Sequence, residues 1–524
     1  MENTNNINNI SKEKFNFVKK HDYSHDTRFE TKPVGYFQDA FNRFCKNKGA
    51  VVGGIVVAFL IVMAIICPFF TKYTPKYYDS IFSTVSPKNN LFVNTNFWDG
   101  CRVKEVGYVG FFEDYAIGLE TGNLVIKNNE YTENEGTYTY RYDTYYGTGF
   151  GTKYKILTMD EYKDIQRYQN ETGRQILYPV VKLSDRPQTI QDKERPNIYY
   201  KTRVVGGKIQ PVLDSNGNLI LNYWTYKDSD GKPSNAAEYD SIRISGENGL
   251  TKDGEAAHYV YGRIVDGGVE VRAYYYEYYR YYHSQVLKDG IEEPYFIFGT
   301  TSGGKDIFAC LFSGARFSFL FALVVAAVNL FVGAIWGSVS GYFGGRVDLI
   351  MERISDVLSA VPTMIIITLL KLHMGTSSQA LVLFIAFFAT GWIGMAATTR
   401  MQFYRYKNQE YVLAARTLGA RDSRIMFKHI FPNAIGTLVT SCALVIPSMI
   451  YSETNLSYLG IINLEAGNIT SVGTMLAAGQ RDMLGAPYVA FFPAMFLVLL
   501  MLSFNLFGNG LRDAFNPSLR GSEG

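Results

Sequence analysis

The chain is poor in the residues that most enzymes use for covalent or metal chemistry. Its 524 residues include only six histidines and five cysteines, which are Cys45, Cys67, Cys101, Cys310 and Cys442. The cysteines form no CxxC pair and no metal-binding spacing. No GxxxxGKS/T phosphate loop occurs, so the chain has no ATPase site of that kind. We therefore expect no catalytic residue, no metal site and no cofactor in this chain.

Charge of one sign is not in large excess, but it is unevenly distributed. The formal net charge is +3. Residues 75–296 carry 26 Lys and Arg against 31 Asp and Glu, whereas the rest of the chain carries 25 against 17. No basic patch dominates, which disfavours a nucleic-acid-binding protein. The acidic middle and the basic remainder instead suit a membrane protein whose middle segment lies outside the cell.

Six predominantly apolar segments qualify as membrane spans, for which about 20 residues are needed. They are 49–70, 317–338, 357–370, 380–397, 435–451 and 486–507, and the third is the shortest and contains Pro362. The first 48 residues hold nine Lys and Arg, and the connection 400–428 holds seven. Since basic flanks of spans stay in the cytoplasm, we expect a multi-pass plasma-membrane protein with both termini cytoplasmic.

The predicted organisation follows from these spans. A cytoplasmic tail (1–48) and a first transmembrane helix (49–74) precede an extracellular inserted domain (75–296). A membrane core with helices two to six (297–511) and a cytoplasmic tail (512–524) complete the chain.

The insertion is expected to be mixed α/β. Thr158 and Glu161 predict a capping box, with Gly173 as the helix stop. Asn216-Gly217 between 209–213 and 219–226 predicts one hairpin, and Asp266-Gly267 between 259–265 and 269–276 predicts a second. Seven tyrosines in 274–282 suit either a half-buried sheet or a ligand-binding aromatic surface, and the sheet is favoured.

The most informative segment is 410–433, between the fourth and fifth spans. Glu410 suits the first turn of a helix, Ala414 and Ala415 form a small face, and Gly419 can end the helix. This arrangement suits docking of another protein. An ordinary amphipathic surface helix is the alternative.

A second helix is predicted after Gly419. Asp422 is its expected N-cap, and Ile425, Phe427 and Ile430 are its apolar residues. Pro432 is expected to mark its boundary.

The segment 410–433 resembles the EAA loop of ABC-importer permeases, and the chain resembles the C-type subunit of the dipeptide/oligopeptide permease family. Other matching segments follow in the family's order, at 298–300, 304–308, 313–316, 453–460 and 504–513, with Pro517. The chain departs from the family pattern at Arg421, where a small capping residue is common. It departs again at Thr301, where an acidic residue is usual, and in the length of the insertion.

The resemblance implies a membrane α-helical protein with the type I ABC importer permease fold, six transmembrane helices and a coupling loop at 400–433. The implied partners are a second, B-type permease, two cytoplasmic ATPases that hold ATP and Mg, an extracellular substrate-binding lipoprotein, membrane lipid and peptide cargo. The implied coupling residues are Glu410, Tyr411, Ala414, Ala415, Arg416, Gly419, Ile425 and Pro432. Arg416 is expected to pair with an acidic residue of the ATPase.

Several alternatives stay open. Asn329 and Asn505 suit either the transport pathway or hydrogen bonds between helices, which are commoner. The insertion suits docking of the binding protein, peptide binding through its tyrosines, or a surface scaffold. Relatives of the family import nickel or glycosides, and a polytopic anchor for an adhesin or receptor is a reading of a different class.

Overall fold

The computed structural model describes residues 36–92, 95–148, 154–178, 190–191, 199–200, 202–213, 215, 217, 219, 262–265, 268–375, 379–467 and 469–515. Its helices are α1 (Tyr36–Lys46), α2 (Lys48–Phe70), α3 (Tyr108–Thr121), α4 (Met159–Thr172), α5 (Tyr275–Tyr281), α6 (Ile307–Phe343), α7 (Gly345–Ser359), α8 (Thr363–Met374), α9 (Gln379–Tyr406), α10 (Glu410–Thr417), α11 (Asp422–Tyr458), α12 (Val472–Asp482) and α13 (Tyr488–Ala514). Its strands are β1 (Cys101–Gly107), β2 (Ile126–Asn134), β3 (Thr137–Asp143), β4 (Tyr154–Leu157), β5 (Leu177–Tyr178), β6 (Ile190–Gln191), β7 (Tyr199–Tyr200), β8 (Thr202–Val205), β9 (Lys208–Pro211), β10 (Gly262–Val265) and β11 (Gly268–Ala273).

Five of the predicted spans are confirmed as helices that are long and apolar enough to cross a membrane: α2, α6, α9, α11 and α13. The third, 357–370, is not a single helix, because α7 and α8 meet at a bend of 66°. Pro362 explains the break. Proline donates no backbone hydrogen bond and pushes the preceding residue out of helical geometry.

Helices α6 and α9 approach each other along a row of glycines on α6. Gly333, Gly337 and Gly341 recur every four residues, so they share one helix face. A Cβ at Gly333 would lie 2.7 Å from the Trp392 carbonyl oxygen, and one at Gly341 would lie 2.7 Å from Phe403 Cβ. Small residues allow such close approach of backbones in membrane helices. We call this row the glycine ladder.

The end of the predicted N-terminal tail is helical. Phe44 of α1 packs edge-on against Phe507 of α13, with 5.6 Å between ring centroids. Ala50, at the start of α2, lies against Gly510 of α13, so α2 and α13 are antiparallel neighbours. Residues 1–35 and 516–524, which belong to the two predicted cytoplasmic tails, lie outside the described residues.

The inserted segment contains helices and two main antiparallel sheets among its described residues. The first sheet has the order β1-β3-β2, and Phe111 of α3 stacks on Tyr138 of β3 at 4.4 Å. The second has the order β10-β11-β4, with β5 also paired to β11. Leu157, Ile165 and Val271 are fully buried between this second sheet and α4.

The predicted helix in the insertion is confirmed, with one difference in its cap. Thr158 Oγ1 accepts the Glu161 backbone N–H at 3.2 Å, and Gly173 ends the helix with φ +69°. The Glu161 carboxylate accepts instead from the Tyr278 hydroxyl, at 2.6 Å. The capping residue and the stop were therefore readable from the sequence, but the tertiary partner was not.

One of the two predicted hairpins is confirmed. Strands β10 and β11 pair with Val265 opposite Gly268, as a two-residue turn requires. The other predicted hairpin is tested only in part. Its first strand overlaps β9, which also pairs with β8 around Gly206 and Gly207, with Ile209 opposite Val204. Both glycines have positive φ, which suits the tight turn. Leu213 and Leu219 form an antiparallel β-bridge on either side of the predicted turn, as this hairpin requires, and 220–226 lie outside the described residues.

The tyrosine run is helical, so the prediction of a sheet there is wrong. It forms α5 and a π-helical turn, Tyr282–Leu287. The helix places Tyr278 and Tyr281 in the core under β11, and Tyr276 and Tyr279 in a second core against α3 and the first sheet. In each core the two tyrosines are three residues apart, which puts them on one face of a helix but on opposite faces of a strand. The burial supports the structural role of these rings.

The insertion is joined to the membrane core by a hydrogen-bonded junction, which we call the insertion root (79–88 against 296–306). Thr300 Oγ1 donates to the Phe82 carbonyl at 2.6 Å and accepts the Val85 N–H at 2.9 Å. Asp79 N–H donates to the Gly304 carbonyl at 3.0 Å. Gly304, at φ +70°, leaves no room for a Cβ beside the Asp79 backbone.

Candidate functional site

One buried cluster packs the segment after α9 against the ends of α6 and α9. Val412 of α10 is fully buried. It shares the cluster with residues of α6, α9 and α11, namely Tyr342, Phe403, Ile425, Met426 and Ile430. We call α10, the Gly419 turn and residues 420–430 the docking loop. Ile425, predicted as a coupling residue, lies on the buried side of this loop.

Gly419 provides the turn that ends α10. Its φ is +78°, and its N–H donates to the Arg416 carbonyl at 3.0 Å. The Ala420 N–H then donates to the Ala415 carbonyl at 3.1 Å, which satisfies two carbonyls at the helix end. A Cβ at Gly419 would meet no atom within 4 Å. Glycine is needed here for its backbone conformation, because the site is open.

The predicted cap of the second helix is wrong. Arg421 is the N-cap by its backbone, with no side-chain bond, and Asp422 accepts from the Tyr342 hydroxyl at 2.6 Å. Arg416 also turns towards Tyr342, with Nη2 at 3.4 Å from the hydroxyl oxygen. Tyr342 thereby ties both helices of the docking loop to the end of α6.

The boundary predicted at Pro432 is a change of helix type and not a break, because the α-helix Phe431–Tyr458 begins there with the proline in its first turn. The helix continues from Asp422 to Tyr458 and contains the π-helical stretch Ile425–Ile430 immediately before the proline. There the Phe431 N–H bonds the Met426 carbonyl, five residues back. The wider π turn relieves the clash that proline makes with a regular α-helical turn.

A cluster of polar side chains lies beside the docking loop. Asp348 of α7 accepts two hydrogen bonds from Arg400 of α9, from Nε and Nη2, each at 2.6 Å. Tyr404 and Ser340 also donate to it. A bidentate arginine pair is among the strongest polar contacts in proteins. Sequence reasoning missed this cluster, although charged residues next to spans were the available signal.

The other side of the docking loop is exposed and partly apolar. Leu418 is 87% exposed, and Leu413 and Phe427 are also exposed. Glu410, Ala414 and Arg416 are exposed beside them. Tyr411 is held by Asn433, whose Nδ2 donates to the tyrosine hydroxyl at 3.3 Å. The loop therefore combines a fixed inner side with an apolar outer side.

The two predicted polar residues in the spans differ in their surroundings. Asn329 is buried against Gly391 of α9, and its amide has no hydrogen-bond partner within the described part of the chain. Asn505 is exposed on α13. The structure therefore brings Asn329 to a helix interface and leaves Asn505 on the outer surface of the helix bundle.

Glu453 lies at the opposite end of α11 and is fully buried. It accepts hydrogen bonds from Ser318 of α6 at 3.1 Å, from Ser457 at 3.0 Å and from Ser471 at 2.7 Å. Ser471 is also the N-cap of α12. The carboxylate thus connects α6, α11 and α12 through hydroxyl donors.

Among the described residues, no group of three or more His, Cys, Asp or Glu side chains is arranged to hold a metal ion.

The chain matches two known protein families. "Binding-protein-dependent transport system inner membrane component" matches residues 329–521, and "N-terminal TM domain of oligopeptide transport permease C" matches 35–90. The first match includes the docking loop, and the second includes α1 and α2.

Curated relatives carry the same kind of name. The oligopeptide transport system permease protein OppC of Bacillus subtilis is 45% identical over 223 residues, which are 43% of this chain and 72% of that protein. The dipeptide transport system permease protein DppC of the same organism is 40% identical over 43% of this chain and 69% of that protein. OppC of Haemophilus influenzae is 37% identical over 44% and 72%.

Among solved structures, the inward-facing MetNI methionine ABC transporter contains a chain with 16% identity. The match covers 39% of this chain and 96% of that chain, with a TM-score of 0.31.

Proposed function

Because the chain belongs to the C-type permeases of oligopeptide and dipeptide ABC importers, we propose that it moves short peptides across the plasma membrane together with a second permease. The observation that carries the proposal is the docking loop. Its inner side is fixed to the ends of α6 and α9, and its outer side presents apolar side chains that a cytoplasmic partner can cover.

In this proposal the partner at the docking loop is an ATPase. The helix α10 lies in a groove of that subunit, and ATP with Mg binds there and not to this chain. Tyr342 and Val412 transmit the movement of α10 to the spans, because both are packed between the loop and the span ends. The hydrogen bonds of Arg416 and Asp422 to Tyr342 add to this connection.

The same proposal fixes the topology. The docking loop and both termini lie in the cytoplasm, which the basic residues of 1–48 and 400–428 support. Residues 75–296 then lie outside the cell. There the insertion is placed to dock the lipoprotein that delivers the peptide.

A second permease covers part of the helix bundle in this proposal. Asn505 is exposed on a helix that otherwise presents Val498, Leu502 and Leu506. A polar side chain towards lipid is costly, so Asn505 is expected to face the second permease or the pathway between the two.

Affinity capture from gently solubilised membranes tests the proposal. The native chain is compared with Leu418→Asp, which places a charge on the outer side of the docking loop without disturbing a buried contact. Leu484→Asp is the matched control, because Leu484 is fully exposed but lies beyond α12, away from the loop.

We expect the native chain and the control to bring down a second permease and ATPases. The Leu418→Asp variant should keep the permease and lose the ATPases. Recovery of no ATPase with the native chain, or full recovery with Leu418→Asp, would reject docking at this loop.

A further inference from the structure

The loop between Lys88 and Asp99 has a composition unlike the rest of the insertion. Residues 89–98 contain no charged side chain and five apolar ones, including Leu91, Phe97 and Trp98. The two ends of the loop are joined through their backbones. Lys88 and Asp99 form an antiparallel β-bridge, and the Asn89 N–H donates to the Trp98 carbonyl at 2.8 Å. We call Leu91, Phe92, Phe97 and Trp98 the aromatic loop.

The aromatic loop leaves large apolar side chains uncovered. Leu91 is 84% exposed and Phe97 is 66% exposed. Phe92 stacks on Trp98, with 5.9 Å between ring centroids, and Phe97 packs edge-on against Trp98 at 5.6 Å. Phe97 therefore forms one apolar cluster with Phe92 and Trp98, and Leu91 precedes Phe92 in the chain. Exposure of such apolar surface to water is unfavourable.

Contacts of Trp98 place this cluster beside the end of a membrane span. Its ring lies 5.8 Å from Phe298 and 5.5 Å from Phe492, which is near the start of α13. The antiparallel neighbour α2 finishes at the same end of the molecule, where Phe69 and Phe70 are exposed. The aromatic loop thus continues the apolar surface at the outer ends of α2 and α13.

Trp98 is held in an unfavourable backbone conformation. Its φ is +61°, in the left-handed region that bulky side chains rarely adopt. The indole N–H donates to the Ile297 carbonyl, and the ring is packed between Phe92 and Phe298. Tertiary contacts therefore hold the tryptophan at this position, and strain of this kind clusters at functional sites.

We propose that the aromatic loop is an interfacial membrane anchor. Its side chains insert between the lipid headgroups beside α2 and α13 and keep the insertion at a fixed height above the bilayer. Tryptophan favours this zone of the bilayer, since one edge of its ring is polar and the rest is apolar. The absence of charge in the loop and its continuity with two span ends favour lipid as the occupant. The proposal does not depend on the cargo or on the ATPases.

Fluorescence quenching in lipid nanodiscs tests this anchor on the full chain. The five native cysteines are replaced by alanine, and a single environment-sensitive label is attached at Phe97→Cys or Leu91→Cys. Ile156→Cys is the matched control, because Ile156 is an exposed apolar residue on β4, outside the aromatic loop. The quenchers are phosphatidylcholine brominated high on the acyl chain, phosphatidylcholine brominated near the chain end, and aqueous iodide.

At positions 97 and 91 we expect the lipid brominated high on the chain to quench the label strongly and the lipid brominated near the chain end to quench it less. Aqueous iodide should quench the label little there. At position 156 iodide should quench and neither lipid should. If neither lipid quenches the label at positions 97 and 91, the proposal is overturned, because the loop then lies in water or against another protein. If the cysteine-free chain does not fold, Trp98 is the probe in a variant with Trp224→Phe, Trp336→Phe and Trp392→Phe.

Discussion

Single residues in the insertion show how burial and opposite charge combine. Asp99 has 2% of its side chain exposed and lies 2.8 Å from Arg141, and Lys127 also donates to it. Burial raises the pKa of the Asp99 carboxyl. Hydrogen bonds from Lys127, from the Cys101 backbone and from Arg141 outweigh that effect and hold the pKa below its ordinary value.

This lowered pKa predicts how the stability of the insertion depends on pH. A carboxyl whose pKa is lower in the folded protein than in the unfolded chain stabilises the folded state at pH values above its unfolded pKa, about 3.9. This stabilisation is lost as the pH falls through the pKa of the folded state. Asp99→Asn should therefore lower the free energy of unfolding by about 2 kcal/mol near neutral pH. Thermal unfolding at several pH values measures this difference.

The exposed Glu130→Gln is the control for Asp99→Asn and should unfold like the native chain at every pH. The gap between Asp99→Asn and the native chain should narrow as the pH falls below about 4. A gap that stays constant would show that the charge of Asp99 does not contribute.

At the scale of helices and strands, the glycine ladder makes the sharpest prediction. A Cβ at Gly337 would overlap the Ala396 carbonyl oxygen and lie 2.7 Å from Thr399 Cβ. Gly337→Ala should therefore push α6 away from α9 and destabilise the protein by about 1–3 kcal/mol. The yield of monodisperse protein and its unfolding temperature measure the effect.

Gly394→Ala is the matched control on α9, because a Cβ there would meet nothing within 4 Å. It should leave the unfolding temperature unchanged or slightly raised, since alanine has the higher helix propensity. Equal effects of the two substitutions would mean that the ladder is not a close contact.

The sequence predicted those elements whose signals are local. Apolar length predicted five spans, Thr158 and Gly173 predicted both ends of α4, and Gly419 predicted the end of α10. Elements that depend on distant contacts were predicted wrongly. The tyrosine run forms a helix whose rings, three residues apart, pack into two cores from distant segments of the chain. Asp422 bonds Tyr342, 80 residues away, instead of capping its own helix.

The candidate site was likewise predictable only on its own segment. Glu410, Ala414 and Gly419 lie on the docking loop, where a motif of fixed spacing made them visible. Tyr342, Asp348 and Arg400 come from other helices. Their local sequence does not show that Tyr342 bonds the docking loop or that Asp348 pairs with Arg400. The glycine ladder had a readable four-residue spacing, but its partner helix could not be read from it.

At the scale of the whole molecule, the insertion root decides whether the insertion and the spans move together. Thr300→Val would remove the hydroxyl and leave the Val85 N–H and the Phe82 carbonyl buried without that partner. We expect a loss of about 2–6 kcal/mol at the root, because two polar groups are orphaned and each costs about 1–3 kcal/mol. Faster proteolysis near residues 79–88 measures this loosening.

Ser302→Ala is the control, because Ser302 is exposed and its hydroxyl makes no hydrogen bond within the described part of the chain; its backbone N–H donates to Asp482. Its rate of proteolysis should match that of the native chain. If Thr300→Val is cleaved no faster than this control, the root does not hold the insertion in place.

The bend between α7 and α8 leaves α8 too short to cross the hydrocarbon core of a bilayer by itself. The twelve residues of α8 rise roughly 18 Å, whereas the hydrocarbon core of a bilayer is about 30 Å thick. The irregular backbone at 360–362 is exposed on the chain. Irregular backbone is not stable among lipid tails. Because α8 alone is shorter than a full span, we expect a neighbouring subunit or an aqueous cavity, and not lipid tails alone, to complete this side of the chain.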